Sequence, residues 1–145
     1  MEFNRLSAVF YQDYGTAYPE ILNKPTRPYY VVLVKVMQLT FAIPLRSSIK
    51  HSFSFIADGN EAGLDFTKAV VIVDRQKYVE MIPASIRQHE FNELKKFEFE
   101  IETRFEKFLY DYIKKVKRSR ENPRIPPARL LQFSCLQYFH KELGL

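Results

Sequence analysis

The chain has 145 residues, 46% of them hydrophobic and 15% aromatic, with 22 Lys and Arg against 17 Asp and Glu for a net charge of +5. That length and apolar content describe one folded domain over 1–145 and exclude a disordered chain. The basic balance points to a polyanionic partner, nucleic acid or an anionic membrane surface, and the single Cys135 excludes both a disulfide framework and a multi-cysteine metal site.

In chain order, Leu6–Tyr11 reads as a short first strand, and the stretch holding Gly15, Pro19, Pro25 and Pro28 reads as loop. Tyr29–Val36 is β-branched and aromatic throughout, as a central strand should be. Met37-Gln38 then links it to Leu39–Ile43 tightly enough that the pair must be antiparallel. After the polar connection Pro44–Ser52, Phe53–Ala57 reads as a third core strand, with a turn at Asp58-Gly59-Asn60. Ala69–Val73 is a fourth strand and Tyr78–Ile82 a fifth.

From Gln88 the period changes. Phe91, Leu94, Phe97, Ile101, Phe105, Phe108, Tyr112 and Val116 recur every three or four residues, the apolar stripe of one long helix packed on a sheet. Lys114, Lys115, Lys117, Arg118 and Arg120 crowd its end, where cations suit the negative pole of the helix dipole or form a phosphate-contacting patch. Pro123, Pro126 and Pro127 stop the helix. Ser134 and Gln137 then have capping-box spacing for a last helix through Leu143, with Gly144 as its terminating glycine. No segment has the roughly 20 apolar residues of a membrane span and none reads as a signal peptide, so a cytoplasmic location without membrane is expected.

The chemistry-bearing residues gather in one stretch, Ile43 to Phe55, "IPLRSSIKHSFSF". His51, His89 and His140 are too scattered to suggest a metal, and Asp58, Glu61, Asp65 and Asp74 read as turn and strand-end residues, so neither metal nor cofactor is expected. There is no glycine-rich phosphate loop and no G-x-S-x-G elbow. What the stretch suits is cleavage of an RNA phosphodiester by its own 2′-hydroxyl, which needs a base, an acid and donors for the growing charge. His51 has the ordinary pKa for proton transfer near neutrality, Lys50 and Arg46 can neutralise the phosphorane, and Ser47 or Ser48 can donate to a non-bridging oxygen. Each of them alone would be an ordinary polar loop residue.

The segments "RPYYVVLVKV", "PLRSSIKHSFSF", "LDFTKAVVIVD" and "FSCLQYFHKELGL", in this order, resemble the endoribonuclease toxins of type III toxin–antitoxin systems, the ToxN/AbiQ superfamily, most closely its TenpN and CptN branches. The resemblance implies a compact, strongly twisted, mostly antiparallel barrel of the Kid/MazF kind within an α+β fold. It implies a metal-independent, sequence-specific RNase leaving 2′,3′-cyclic phosphate and 5′-hydroxyl ends. The implied partner is a small structured RNA antitoxin, cut by the toxin from a repeat precursor and inhibiting it in a closed protein–RNA assembly, with abortive phage infection as the role. The Ser and Lys that follow the family's Pro-Leu pair fall here on Ser47 and Lys50. Its basic residue before the central strand falls on Arg27, and its N-terminal aromatic on Phe10 or Tyr11, of which Tyr11 has the hydroxyl. Better-known members carry Thr-Ser where this chain has Arg46-Ser47, which leaves Arg46 for the scissile phosphate or the antitoxin backbone. Tyr29 or Tyr30 can stack a base, though period-2 alternation turns one of them into the core. The alternative is a non-catalytic RNA-binding module using the same cations for phosphates only.

Overall fold

A computed structural model of the chain describes residues 1–22, 30–56, 62–81 and 88–145, and within them the architecture is α+β. Seven strands, β1 (Glu2–Leu6), β2 (Tyr30–Val36), β3 (Leu39–Ser47), β4 (Ser54–Ile56), β5 (Ala62–Asp65), β6 (Val70–Val71) and β7 (Val79–Glu80), form one antiparallel sheet. Their order is β4-β5-β3-β2-β1-β7, with β6 paired to the first half of β3. The sheet is open: among the described residues its end strands β4 and β7 do not meet, so the expected barrel is not closed.

The β-branched run does as its composition dictates, and Val31 to Val34 are all buried. Met37 and Gln38 make the two-residue turn with φ of 55° and 63°, the left-handed pair whose twist suits a hairpin. Strand β3 runs on through the segment read as a connection: Phe41 to Leu45 are buried, Pro44 stands opposite Val31, and Arg46 and Ser47 pair with Gly63 and Ala62. Proline fits extended backbone and forfeits only its own ladder donor. β3 is thus the hinge of the sheet, paired to β2 on one side and to β6 and then β5 on the other.

Strand β5 is an element the sequence reading lacked, and Gly63 permits it. A Cβ there would stand 2.6 Å from the Phe55 carbonyl oxygen and 2.7 Å from Ile56 Cγ1. The expected first strand, Leu6–Tyr11, is not a strand: the extended segment is β1, which precedes it and ends at Leu6, because the Ser7 hydroxyl accepts from Phe10 N–H (3.3 Å) and starts helix α1 (Ala8–Phe10), continued by a π-helical turn over Tyr11–Gly15. Three others are shorter than expected, the fourth keeping only Val70–Val71. Asp74 caps α2 (Arg75–Tyr78) by accepting from Lys77 N–H (3.2 Å), which leaves only Val79–Glu80 of the fifth strand. In the third, Ser54 and Phe55 point inward while Phe53 is 38% exposed, so Phe53 is no core residue. The turn expected at Asp58-Gly59-Asn60 lies outside the described residues, as do Arg27 and Tyr29.

The long apolar stripe belongs to two helices, α3 (Gln88–Lys95) and α4 (Glu98–Glu121). Phe97 divides them: its N–H bonds the Leu94 carbonyl (2.9 Å) and closes α3 tightly, while its own carbonyl receives Ile101 N–H (2.8 Å) and opens α4. The remaining stripe residues are buried as expected, and Phe105 packs edge-on against Phe41 (5.1 Å) and Phe66 (5.4 Å). After the prolines comes α5 (Leu130–Phe133). Ser134 caps by accepting from Leu136 N–H (3.2 Å), but only a 3₁₀ turn follows, Cys135–Tyr138. Gln137 Nε2 donates to the carbonyls of Gln132 and Ser134 (both 2.9 Å), so the second half of the capping box is not made. Gly144 has the expected positive φ, 76°. Among the described residues no helix is long and apolar enough to cross a membrane.

The last segment is tied to α4 by His140, which lies 2.8 Å from the buried Tyr112 hydroxyl through Nε2 and 3.4 Å from Arg120 through Nδ1. Arg can only donate, so Nδ1 accepts and the neutral ring carries its proton on Nε2. Burial, and then the Arg120 charge, hold His140 below the ordinary histidine pKa of 6.5. A depressed histidine binds its proton more readily when unfolded. Folding stability is therefore full above about pH 6.5 and declines as the pH falls below it. Urea midpoints of His140→Gln should lose that part of the acid sensitivity; an unchanged pH profile would contradict the assignment. Gly63→Ala should lower stability by about 2 kcal/mol, because Phe55 and Ile56 must be displaced. A melting temperature equal to the parent's would show that β4 and β5 do not approach this closely.

Candidate functional site

Register brings the site together. Arg46 on β3 stands opposite Gly63 on β5, and Asp65, two residues on, is the diagonal neighbour on the same face. Gly63 puts no side chain between them, and Arg46 Nη1 reaches Asp65 Oδ2 at 2.7 Å. The Asp65 side chain has no solvent exposure at all. Its other oxygen accepts from Thr67 N–H (3.0 Å) and Thr67 Oγ1 (2.6 Å) and lies 3.2 Å from His51 Nε2. A buried carboxylate needs such donors, since an uncompensated one would carry a large desolvation penalty.

Ser48 turns the chain off the end of β3 with a left-handed φ of 56°. The turn that follows is fixed from within: Ser54 Oγ donates to the His51 carbonyl (3.1 Å) and Phe53 N–H donates to His51 Nδ1 (3.2 Å). Both ring nitrogens of His51 are thereby engaged. In the neutral ring the proton sits on Nε2, towards Asp65. Ser47, Ser48 and Lys50 are exposed, and their side chains make no hydrogen bond or ion pair among the described residues. The result is a buried anion that orients Arg46 and His51, with two hydroxyls and an ammonium beside them on the surface. Such a set can hold a phosphodiester.

Of the other expected site residues, Tyr11 lies elsewhere. It follows α1 and is packed edge-on to Phe10 (5.5 Å), in a small apolar pocket with Pro44 and Lys68 whose lining includes none of residues 46–51. Lys115 lines a groove of about 310 Å³ together with Ser52, Phe53, Arg104, Lys107, Phe108 and Asp111. At about 100° per residue, Lys114 and Arg118 fall on the same flank of α4 as Lys107, while Lys117 faces away from the groove. The groove adjoins the anchored cluster, since the Phe53 ring is 6.1 Å from that of His51 and 5.9 Å from Phe108.

Sequence reasoning missed Asp65, Thr67 and the groove residues Phe53, Arg104 and Lys107. The one local signal was "DFT", Asp65 to Thr67, an Asp whose side chain closes a turn on the N–H two residues on. Cys135 is buried, its thiol donates to the Glu20 carbonyl (3.1 Å), and burial pushes its pKa up to about 12, so it is no nucleophile. Among the described residues no three His, Cys, Asp or Glu side chains are grouped to share a metal ion. Comparison with protein-family models, curated proteins and solved structures gives no match.

The losses from removing the two members of the Arg46–Asp65 pair should not add. Asp65→Ala is expected to lose about 3 kcal/mol in urea unfolding, and Arg46→Ala, which strands a buried carboxylate, a comparable amount. The double variant should lose clearly less than the sum. Additive losses would mean that the two groups are independent.

Proposed function

We propose that this chain is an endoribonuclease that cleaves RNA through the 2′-hydroxyl of the substrate, without a metal ion, at the cluster formed by Arg46, Ser47, Lys50 and His51. The observation that carries this reading is the anchoring of Arg46 and His51 on the buried Asp65 while the Ser47 and Lys50 side chains stay unengaged beside them. In the reaction the 2′-oxygen bonds to phosphorus as the bond from phosphorus to O5′ breaks. The 2′-hydroxyl gives up its proton to a base and the departing O5′ takes one from an acid. The products carry a 2′,3′-cyclic phosphate and a 5′-hydroxyl. Lys50 and the outward guanidinium nitrogens of Arg46 meet the charge that grows on the phosphoryl oxygens, and Ser47 donates to one of them. His51 exchanges a proton once its Nδ1 leaves the Phe53 N–H, and Asp65 stabilises the resulting imidazolium.

The resemblance to the ToxN/AbiQ toxins extends the proposal. The chain is then the toxin of a type III system, acting in the bacterial cytoplasm on cellular or phage RNA and held inactive by the small RNA it cuts from its own precursor. The β3-centred antiparallel sheet with α4 across it is the core that a Kid/MazF-like fold would contribute. Arg27 remains an RNA contact in this reading, with Lys114, Lys115 and Arg118 tracking the backbone, whereas Tyr11, whose hydroxyl is buried away from the cluster, drops out of it.

One observation favours a second reading. Both His51 nitrogens are occupied, as suits a structural histidine in a module that only binds RNA. Incubating the protein with RNA in EDTA separates the two. Cleavage with 5′-hydroxyl and cyclic phosphate ends is expected, and Ser47→Ala and Lys50→Ala should each reduce the rate at least a hundredfold, about 2.7 kcal/mol in the barrier, with melting temperatures unchanged. RNA that is bound but left intact would leave the binding module; products with 3′-hydroxyls would refute attack by the 2′-oxygen.

A further inference from the structure

We propose that the groove between α4 and the turn at 51–53 is a guanine-reading subsite, in which Phe53 stacks the base, Asp111 accepts from its Watson–Crick edge and Lys107 and Lys115 hold the flanking phosphates. The inference rests on the RNA-cleaving reading of the adjoining cluster and names what sets its sequence preference.

The groove combines three features that a plain phosphate patch would not. Its aromatic ring is presented to solvent: Phe53 is 38% exposed although it leans on Phe108 at 5.9 Å. Its cations include two uncommitted ones. Arg104 is engaged with the Ser54 carbonyl (3.1 Å), but Lys107 and Lys115 make no hydrogen bond or ion pair among the described residues. Between these two lysines, one helical turn from each, stands Asp111, whose carboxylate likewise has no hydrogen-bond or ion-pair partner among the described residues.

A ligand that was only anionic would be repelled by Asp111, and one that was only apolar would leave two ammonium groups unmatched. The complementary ligand carries an anion, a planar face and a pair of hydrogen-bond donors. A nucleotide supplies the first two, and stacking on an aromatic ring accepts any base. The donors select among the bases, because a carboxylate is acceptor-only. Guanine alone offers two adjacent donors, N1–H and the N2 amino group, to the two carboxylate oxygens. Adenine and cytosine set an acceptor nitrogen beside their amino group, and uracil flanks its single N–H with carbonyls, so each turns a lone pair towards Asp111. His51 lies beside Phe53, with ring centres 6.1 Å apart, so a guanosine held here has its sugar–phosphate link at the Arg46–His51 cluster. The site of cutting is then next to a guanosine.

The test is binding, read without turnover. The intact protein is titrated with 5′-GMP, 5′-AMP, 5′-CMP and 5′-UMP by calorimetry, with the Phe53 ring followed by NMR. GMP should bind about tenfold more tightly than the others, the scale of one bidentate base contact. Asp111→Asn should abolish the preference, Lys107→Ala should weaken all four alike, and Phe53→Ala should do so more strongly. All three positions are partly or fully solvent-facing, and unfolding curves confirm that the variants are folded. Equal affinities, a GMP preference that survives in Asp111→Asn, or no binding at millimolar nucleotide would each overturn the subsite. Selective GMP binding by a protein that cuts no RNA would refute the nuclease and keep the subsite; cleavage without guanine preference would do the reverse.

Discussion

A carboxylate without solvent sets the terms for this molecule. Asp65 must find donors inside the protein, and it finds them both locally, in the Thr67 backbone and hydroxyl two residues on, and across the sheet edge, in Arg46 at the end of β3 and His51 in the turn after it. The same contacts that satisfy the buried charge fix the register of β3 against β5 and aim two basic side chains at the surface. Fold and site are therefore not separable here. The strand pairing that places Asp65 opposite Ser54 also places Ser54 Oγ on the His51 carbonyl, so one short sheet edge holds the whole turn from 48 to 54.

Helix α4 completes the arrangement by dividing its faces. Ile101, Phe105, Phe108 and Tyr112 are buried, and aromatic packing of Phe105 and Phe108 around Phe41 and Phe66 gives the helix one seat. The adjoining flank carries Arg104, Lys107, Asp111 and Lys115 towards the turn at 51–53. Because Arg104 bonds the Ser54 carbonyl and its guanidinium lies over the Phe55 ring at 5.3 Å, the helix is fastened to the segment whose far side holds His51. A basic, aromatic-edged groove beside an anchored cationic cluster follows from that one contact face. Electrostatic attraction of a polyanion to this side of the protein needs no further device.

How much of this could be read beforehand depended on whether the determinant was local. The hairpin of β2 and β3 and the buried stripe of α4 were legible, since β-branched runs and a period of three to four are written in consecutive residues. The gathering of cations and hydroxyls between Ile43 and Phe55 was legible too, although the segment was taken for a connection. Only the pairing of Pro44 with Val31, and of Leu45, Arg46 and Ser47 with β5, shows the segment's first part to be strand. β5 itself was illegible because Ala62, Gly63, Leu64 and Asp65 include no β-branched residue, and Gly63 is there for close approach to Phe55 rather than for propensity. Asp65 looked like a turn residue because its partners Arg46 and His51 are distant in sequence. The break at Phe97 has no proline or glycine to announce it. Phe53 was assigned to the core on alternation, but β4 begins only at Ser54, and Phe53, outside the strand, faces the groove.

The activity proposed for the cluster anchored on Asp65 is transfer of a phosphoryl group from O5′ to the neighbouring O2′ of the RNA itself. The measurement closest to that claim uses an oligoribonucleotide that the protein cuts at one bond, resynthesised with a single 2′-deoxy sugar on the 5′ side of that bond. Loss of cutting at that bond, with binding retained, is the predicted result. Unimpaired cutting of the substituted bond would refute the proposed mechanism, because the nucleophile would then have to be something other than the substrate's own hydroxyl.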